Sequence, residues 1–188
     1  MTRNEPPESQ LLDRRFIEEE SAATPSFFAT EKVVGISREL IDSLIEIMEI
    51  RETASARLCL HGSELSELHN MIIAQSRAHY CRPHRHESKV ETCQVIDGRI
   101  AVLIFDDSGE VDQSFVLDSR TRPIVRIGAD RWHSVLAISK IAVYHESKIG
   151  PFLGKKDSLF APWAPSANRS NETNLYHETL LGLQRLKE

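Results

Sequence analysis

The stretch that decides the fold reads His84-Arg85-His86-Glu87-Ser88-Lys89-Val90-Glu91. Side chains on an extended strand alternate between two faces, so the two histidines point the same way and can reach one ion from one wall. The polar residues after them suit a bend, and residues 92–96 then resume an apolar, β-prone run. The glutamate that opens this second strand can therefore bring a carboxylate to the same ion.

A third imidazole comes from far downstream, where His133 follows Trp132 at the start of another strand-like stretch. Three neutral imidazole nitrogens and one carboxylate oxygen suit a divalent transition metal rather than calcium. The sequence thus predicts one metal ion, with zinc, iron, manganese and nickel all open. The predicted metal ligands are His84, His86, Glu91 and His133.

The spacing of the first motif, HxH, four residues, Glu, six residues, Gly98, resembles that of the cupins. His133 stands where the second cupin motif carries its histidine. Over about residues 36 to 166 the chain is also similar to a narrower group, the WbuC-type cupin-fold metalloproteins. The segments that carry this likeness are Arg57-Leu58-x-Leu60-His61, Phe105-Asp106-Asp107-Ser108-Gly109, Gly150-Pro151-Phe152 and Phe160-Ala161-Pro162-Trp163-Ala164-Pro165.

The resemblance implies an all-β cupin jelly-roll barrel, or double-stranded β-helix, and a bound metal. It implies no settled reaction, because the group is known mainly from bacterial surface-polysaccharide gene clusters. Two positions depart from the cupin pattern: Ala78 replaces the usual glycine of the first motif, and residues 128–130 read Gly-Ala-Asp in the second. Aspartate tolerates left-handed backbone better than most residues, so Asp130 is predicted to keep the turn before His133.

The composition of the chain limits the class of protein in which these motifs occur. The 188 residues, 40% hydrophobic and 27% charged, match one globular domain with extensions. Three cysteines without a CxxC arrangement predict reduced thiols, and the chain opens without a signal-like segment, so a cytoplasmic protein without membrane attachment is expected. The net charge is −5 and no basic face is evident, which argues against nucleic-acid binding.

The chain divides into four expected parts. Residues 1–30 are polar and acidic and predict a flexible tail, in which the apolar pairs Leu11-Leu12 and Phe27-Phe28 could dock on a second subunit of a homodimer. Helical spacing of apolar residues after Ser37, a plausible N-cap, predicts an N-terminal helix within 31–56. The barrel is expected over 57–150, and 151–188 form a C-terminal extension.

Many short strands between turn signals predict the antiparallel jelly roll. Tight turns are expected at Asp97-Gly98 and over residues 106–109. The extension is predicted to hold an ordered strap on the barrel, because it contains Phe160 and Trp163, and then a helix from Asn171. The predicted strands are 57–61, 69–77, 79–86, 90–96, 99–105, 111–117, 123–127, 131–138 and 140–147.

Four further residues are candidates for a substrate pocket. Arg82 could bind an anionic substrate at the rim, whereas Arg85 alternates with the ligands and should face outward. Cys93 has the parity of Glu91 and should face the interior, where a small buried hydrophobe is favoured over a fifth ligand. The pocket candidates are His61, His79, Arg82 and Cys93.

We expect a metal-dependent enzyme acting on a small polar molecule, such as a sugar derivative, because four protein ligands leave room for water or substrate on the ion. The competing hypothesis is a non-catalytic binding protein, in which the metal anchors a ligand or staples the barrel. A metal-free sugar isomerase of the jelly-roll type is a third hypothesis, weakened because such sites pair a histidine with an acid or a tyrosine rather than using four converging ligands. No residue is assigned a catalytic role.

Overall fold

A computed structural model describes residues 12, 14–167 and 170–185. These residues form two β-sheets that pack face to face, with one helix before the barrel and one after it. The helices are α1 Arg38–Ile50 and α2 Ser170–Arg185. The strands are β1 Phe16–Glu18, β2 Ser26–Ala29, β3 Ser55–Cys59, β4 Leu68–Ser76, β5 His84–Arg85, β6 Glu91–Asp97, β7 Arg99–Phe105, β8 Val111–Asp118, β9 Ile124–Ile127, β10 Trp132–Ala137, β11 Ile141–Ile149 and β12 Leu159–Phe160.

The two sheets have the crossing connections of a jelly roll. The larger sheet runs β1-β2-β3-β4-β11-β6-β9, and the smaller runs β12-β5-β10-β7-β8. Successive strands such as β6 and β7 therefore lie in opposite sheets, while β4 pairs with β11 from far along the chain. Strand pairs within the barrel are antiparallel. This confirms the predicted all-β jelly roll with a helix at each end.

Apolar side chains from both sheets fill the barrel. Val95 from the larger sheet and Ile100 and Val135 from the smaller are all at most 4% exposed. Each fully buried side chain of this size contributes about 1.5–3 kcal/mol. The tight turn between β6 and β7 needs positive φ, and Gly98 supplies it at 71°.

Helix α1 covers the outer face of the larger sheet. The side-chain oxygen of Ser37 accepts a hydrogen bond from the backbone N–H of Leu40, which satisfies one of the free donors at the helix start. Leu44 and Ile47 are buried and pack in one cluster with Leu58 of β3. The predicted helix is thus confirmed, together with its cap and its apolar face.

The predicted flexible tail is wrong for the described part of residues 1–30. Strand β1 pairs with β2, and β2 adds in parallel to β3, so this segment extends the larger sheet. Phe27 is 5% exposed and packs in the cluster under α1, not on a second subunit, and Leu12 packs against the same cluster. Residues 1–11 and 13, Leu11 among them, lie outside the described residues.

The predicted strand 79–86 is also largely wrong. Only His84 and Arg85 form a ladder, because Pro83 has no N–H to donate and the segment before it bonds through other atoms. The hydroxyl of Ser134 donates to the carbonyl of Cys81 at 2.7 Å, and the carbonyl of Pro83 accepts from the N–H of Ala161 at 2.9 Å.

The C-terminal extension is an ordered strap, as predicted. Strand β12 pairs with β5, which brings the strap beside the first histidines. Helix α2 places Leu180 and Leu181 in a cluster with Leu103 and Leu136 of the smaller sheet. No helix in the described part of the chain is both long and apolar enough to cross a membrane.

Candidate metal centre

Three imidazoles meet where β5 and β10 lie side by side. His84 is on β5, His86 follows that strand directly, and His133 is on β10 with its Cα paired to His84. One ring nitrogen of each histidine lies within 4.8 Å of a ring nitrogen of the other two. A single ion can therefore contact all three rings.

The carboxylate of Glu91 reaches the same point from the other sheet. Its Oε1 lies 2.8 Å from Nε2 of His133, and its Oε2 lies 3.3 Å from Nε2 of His86. Glu91 and His86 are 3% exposed and His133 is 2% exposed. The structure thus brings together all four residues predicted as ligands, in a nearly closed environment.

Each of the three rings has its proton fixed by a backbone carbonyl. A carbonyl only accepts hydrogen bonds, so the neutral ring must carry its proton on the bonded Nδ1 and keep a lone pair on Nε2. Histidines that bind metals through Nε2 are oriented by this kind of bond. The Nδ1 atoms lie 2.9 Å from the oxygen of Arg82 for His84, 2.6 Å from that of Asp157 for His86, and 2.8 Å from that of Arg131 for His133.

The free lone pairs fit a metal ion. The Nε2 atoms of His86 and His133 are buried and have no hydrogen-bond partner among the described residues, although carboxylate oxygens of Glu91 lie beside them. A nitrogen lone pair facing a carboxylate oxygen is repulsive unless a proton or cation lies between them. A single divalent cation satisfies both rings and the carboxylate at once.

The electrostatics favour the charge states that metal binding requires. Burial lowers the pKa of His84, which keeps its ring neutral. Burial would by itself raise the pKa of Glu91, but His133 and His86, when they are protonated and donate to it, outweigh burial and hold that pKa well below the usual range. A cation between the three groups would act in the same direction. Neutral imidazoles and an ionised carboxylate are the ligand forms of these residues.

Asp157 supports the centre from the strap, and the sequence analysis missed it. Its backbone carbonyl orients His86, from 71 residues away. Its buried carboxylate accepts hydrogen bonds from the ammonium groups of Lys89 and, at 3.2 Å, Lys148. Lys89 lies within the first motif, so its charge was the available signal that a buried acid would be needed nearby.

The inner face of β11 adds two charged side chains that the sequence analysis also missed. Glu146 is paired with Cys93 and Lys148 with Glu91, and directly paired residues share a face of the sheet. Both therefore point into the barrel on the side of Glu91. The alternation from Tyr144, which is buried in the barrel core, was the signal that could have found them.

The four predicted pocket residues are not brought together. His61 lines a cavity of about 290 Å³ near the centre, and none of the other three lines it. His79 lies beyond the end of β4, where its N–H donates to the carbonyl of Ser76. Cys93 is fully buried in the barrel core, facing inward as predicted.

Arg82 does not stand free at a rim. Its guanidinium donates to the carbonyl of Ala161 at 2.9 Å and lies 5.3 Å from the ring centroid of Phe160, so it holds the strap. Arg85 faces outward as predicted, over the ring of Trp132 at 4.4 Å. Asp130 keeps the second-motif turn, with φ at 58° as predicted.

Fold and site together define a jelly-roll barrel with a buried three-histidine cluster suited to one metal ion. Residues 36–117, less than half of the chain, match a family described as Domain of unknown function (DUF6016). A search of curated protein sequences found no match.

Similar solved structures include the capsular polysaccharide assembling protein CapF from Staphylococcus aureus, with 13% identity and a TM-score of 0.47 over 56% of this chain and 29% of CapF. KdgF from a Halomonas species has 14% identity and a TM-score of 0.42 over 51% of this chain and 80% of KdgF. Oxalate decarboxylase from Bacillus subtilis has 14% identity and a TM-score of 0.41 over 50% of this chain and 24% of that enzyme. The chain thus spans less than a third of CapF and of oxalate decarboxylase.

Proposed function

We propose that this chain is a metal-dependent cupin enzyme that acts on a small polar molecule at one ion held by His84, His86, Glu91 and His133. The observation that carries the proposal is that each ring has its Nδ1 proton tied to a carbonyl, while two free Nε2 atoms face the carboxylate. The likeness to WbuC-type proteins supports a sugar-derived substrate from bacterial surface-polysaccharide metabolism.

A divalent ion at this point supplies Lewis acidity toward a substrate oxygen. The acid–base work falls to the chain, and Glu146 is the group placed for it. Its carboxylate is diagonal to Glu91 on the same inner face, and such neighbours lie about 7–8 Å apart. This carboxylate can take up and return a proton of a molecule bound beside the ligands. Lys148, on the same strand, adds positive charge that favours a substrate rich in oxygen.

One observation favours a second function, in which the metal is structural and joins the two sheets of a non-catalytic protein. The side chains of Glu91 and His133 come from opposite sheets and are at most 3% exposed. A shared ion would join the sheets, as structural metals do, and would contribute directly to folding.

Elemental analysis tests whether the protein binds one metal ion at the proposed ligands. Wild-type protein purified without added metal should contain one equivalent, and His133→Ala should lose most of it. His145→Ala is the matched control, because His145 lies on the outward face of β11 and bonds the side chain of Asn70 at 3.1 Å. Full stoichiometry in His133→Ala would contradict the ligand assignment.

A turnover assay distinguishes the proposed catalytic function from the structural one. Metal-loaded protein is incubated with a panel of sugar nucleotides and sugar derivatives, and substrate loss is followed by mass spectrometry. Glu146→Gln should keep its metal and melting temperature but lose turnover at least tenfold. If no member of the panel is consumed and metal removal unfolds the protein, the structural function replaces the catalytic one.

A further inference from the structure

We propose that the cavity beneath the loop after β1 binds a small organic anion, with Arg57 as its charge partner. The cavity measures about 290 Å³ and lies against the inner faces of β2, β3 and β4. Ligand sites in proteins begin at about 300 Å³, so the space suits a small molecule. None of the four metal ligands lines this cavity, so the site does not depend on the metal assignment.

Arg57 points into this space without an anion to meet it. On β3 its Cα is paired with Ile73, which belongs to the barrel core, so both side chains face inward. Its Nε is buried and has no hydrogen-bond partner among the described residues. The guanidinium also makes no ion pair there, and it lines the cavity wall. Arg57 is half-buried, and a partly desolvated guanidinium without an anion is unfavourable, so a ligand anion would stabilise it.

No other charged or titratable group that the structure describes at the cavity bonds Arg57, although the carboxylate of Glu146 lies nearby on β11, which pairs Glu146 with Met71 of the cavity wall. Lys148 is already bonded to Asp157 at 3.2 Å, and Glu64 is exposed at the edge. Burial lowers the pKa of His61 to about 4 and also lowers the pKa of His69, so both stacked rings are neutral at pH 7. Among the described residues, Arg57 is therefore the cationic side chain of the cavity wall that has neither a hydrogen bond nor an ion pair.

The rest of the cavity wall is largely apolar. The part of the ligand that carries no charge should therefore be apolar as well. The rings of Phe28 and Phe152 and the side chain of Met71 line the space. A guanidinium binds carboxylate and phosphate oxygens in the same bidentate geometry. The expected ligand is therefore a carboxylate or phosphate group attached to a compact apolar or aromatic body.

Calorimetric titration tests this with three probes of similar shape. Benzoate and phenyl phosphate carry the two oxyanions, and benzamide is the neutral counterpart of benzoate. At least one anion should bind at least tenfold more tightly than benzamide, and the stronger of the two identifies the head group. If neither benzoate nor phenyl phosphate binds more tightly than benzamide, the proposal is overturned.

Arg57→Met should weaken anion binding at least tenfold without lowering the melting temperature, because it removes a half-buried charge that has no partner among the described residues. Arg122→Met is the matched control, since that exposed guanidinium lies over Phe115 in another part of the barrel. Ala22→Trp, in the loop that lines the cavity, should block binding while leaving β3 intact, and so tests the site even if Arg57→Met fails to fold.

Metal-free His133→Ala protein distinguishes this site from the metal centre. Anion binding should persist in that variant, whatever becomes of the proposed enzyme. Loss of anion binding together with the metal would place the anion at the ion and overturn the assignment to Arg57. Unchanged binding in Arg57→Met would overturn it as well.

Discussion

The backbone carbonyl oxygen of Asp157 lies 2.6 Å from Nδ1 of His86 and accepts a hydrogen bond from it. A residue of the C-terminal strap thus sets the orientation of a ring in the first cupin motif. The same strap continues as β12, which pairs with β5 and so with His84. The strap is therefore part of the candidate metal centre as well as a cover for the barrel.

Replacing Asp157 by asparagine should weaken the centre through the two lysines. Asp157→Asn leaves Lys89 and Lys148 buried without their anion, which costs about 3–5 kcal/mol of stability. The carboxylate anchors the segment whose backbone carbonyl orients His86, so its loss should displace that carbonyl and lower metal affinity by up to about 10–100-fold. Chelator competition and urea denaturation measure the two effects.

The control for this change is Asp112→Asn. Asp112 pairs with Arg131 on the surface, where both side chains are about half exposed, and such pairs contribute about 0–1 kcal/mol. Equal metal affinity in Asp157→Asn and the wild type would show that the carboxylate does not hold His86 in place.

Acid should release the metal. Protons compete with the ion for imidazole nitrogens, and a free imidazole titrates near a pKa of about 6.5. Burial lowers the pKa of His84 in the fold, so the unfolded chain binds more protons than the folded one below that pH. Stability and metal content should therefore be highest above about pH 6.5 and fall as the pH is lowered through it. Full metal retention at pH 4 would show that histidines are not the main ligands.

Truncating Phe27 should destabilise the fold, contrary to what a flexible tail would do. Phe27→Ala leaves a cavity in the cluster under α1 and should cost about 3–5 kcal/mol in urea denaturation. Val33→Ala, at a side chain that is 85% exposed, should change stability by no more than about 0.5 kcal/mol. Equal stability of the two variants would mean that β2 does not belong to the folded sheet.

The substitution Gly109→Ala should weaken the packing of the C-terminal strap on the barrel. Gly109 has φ at 93°, and a Cβ there would lie 2.8 Å from Cδ2 of Trp163. The strain should cost about 1–3 kcal/mol and change the fluorescence of Trp163. Gly128→Ala is the control, because a Cβ at that position meets nothing within 4 Å. A stable Gly109→Ala protein with unchanged fluorescence would show that the strap does not rest on this turn.

Much of the site could be predicted because its decisive features are local. The parity of His84 and His86 follows from strand geometry. The prediction failed where a side chain's surroundings come from distant segments. Short strands such as β1 and β2 carry too few apolar residues to be recognised, and Lys148 and Glu146 show their purpose only once β11 is paired with β6.

The sequence by itself determined most of the jelly-roll strands, the helix that starts after Ser37, the left-handed turn at Asp130 and the shared face of His84 and His86. These depend on alternation, capping and backbone preference, which act between near neighbours. Only the tertiary structure decided that Asp157 supports His86, that Phe27 enters the core and that Arg57 faces a cavity. These facts depend on burial and pairing between segments far apart in the chain, and no local pattern of residues specifies them.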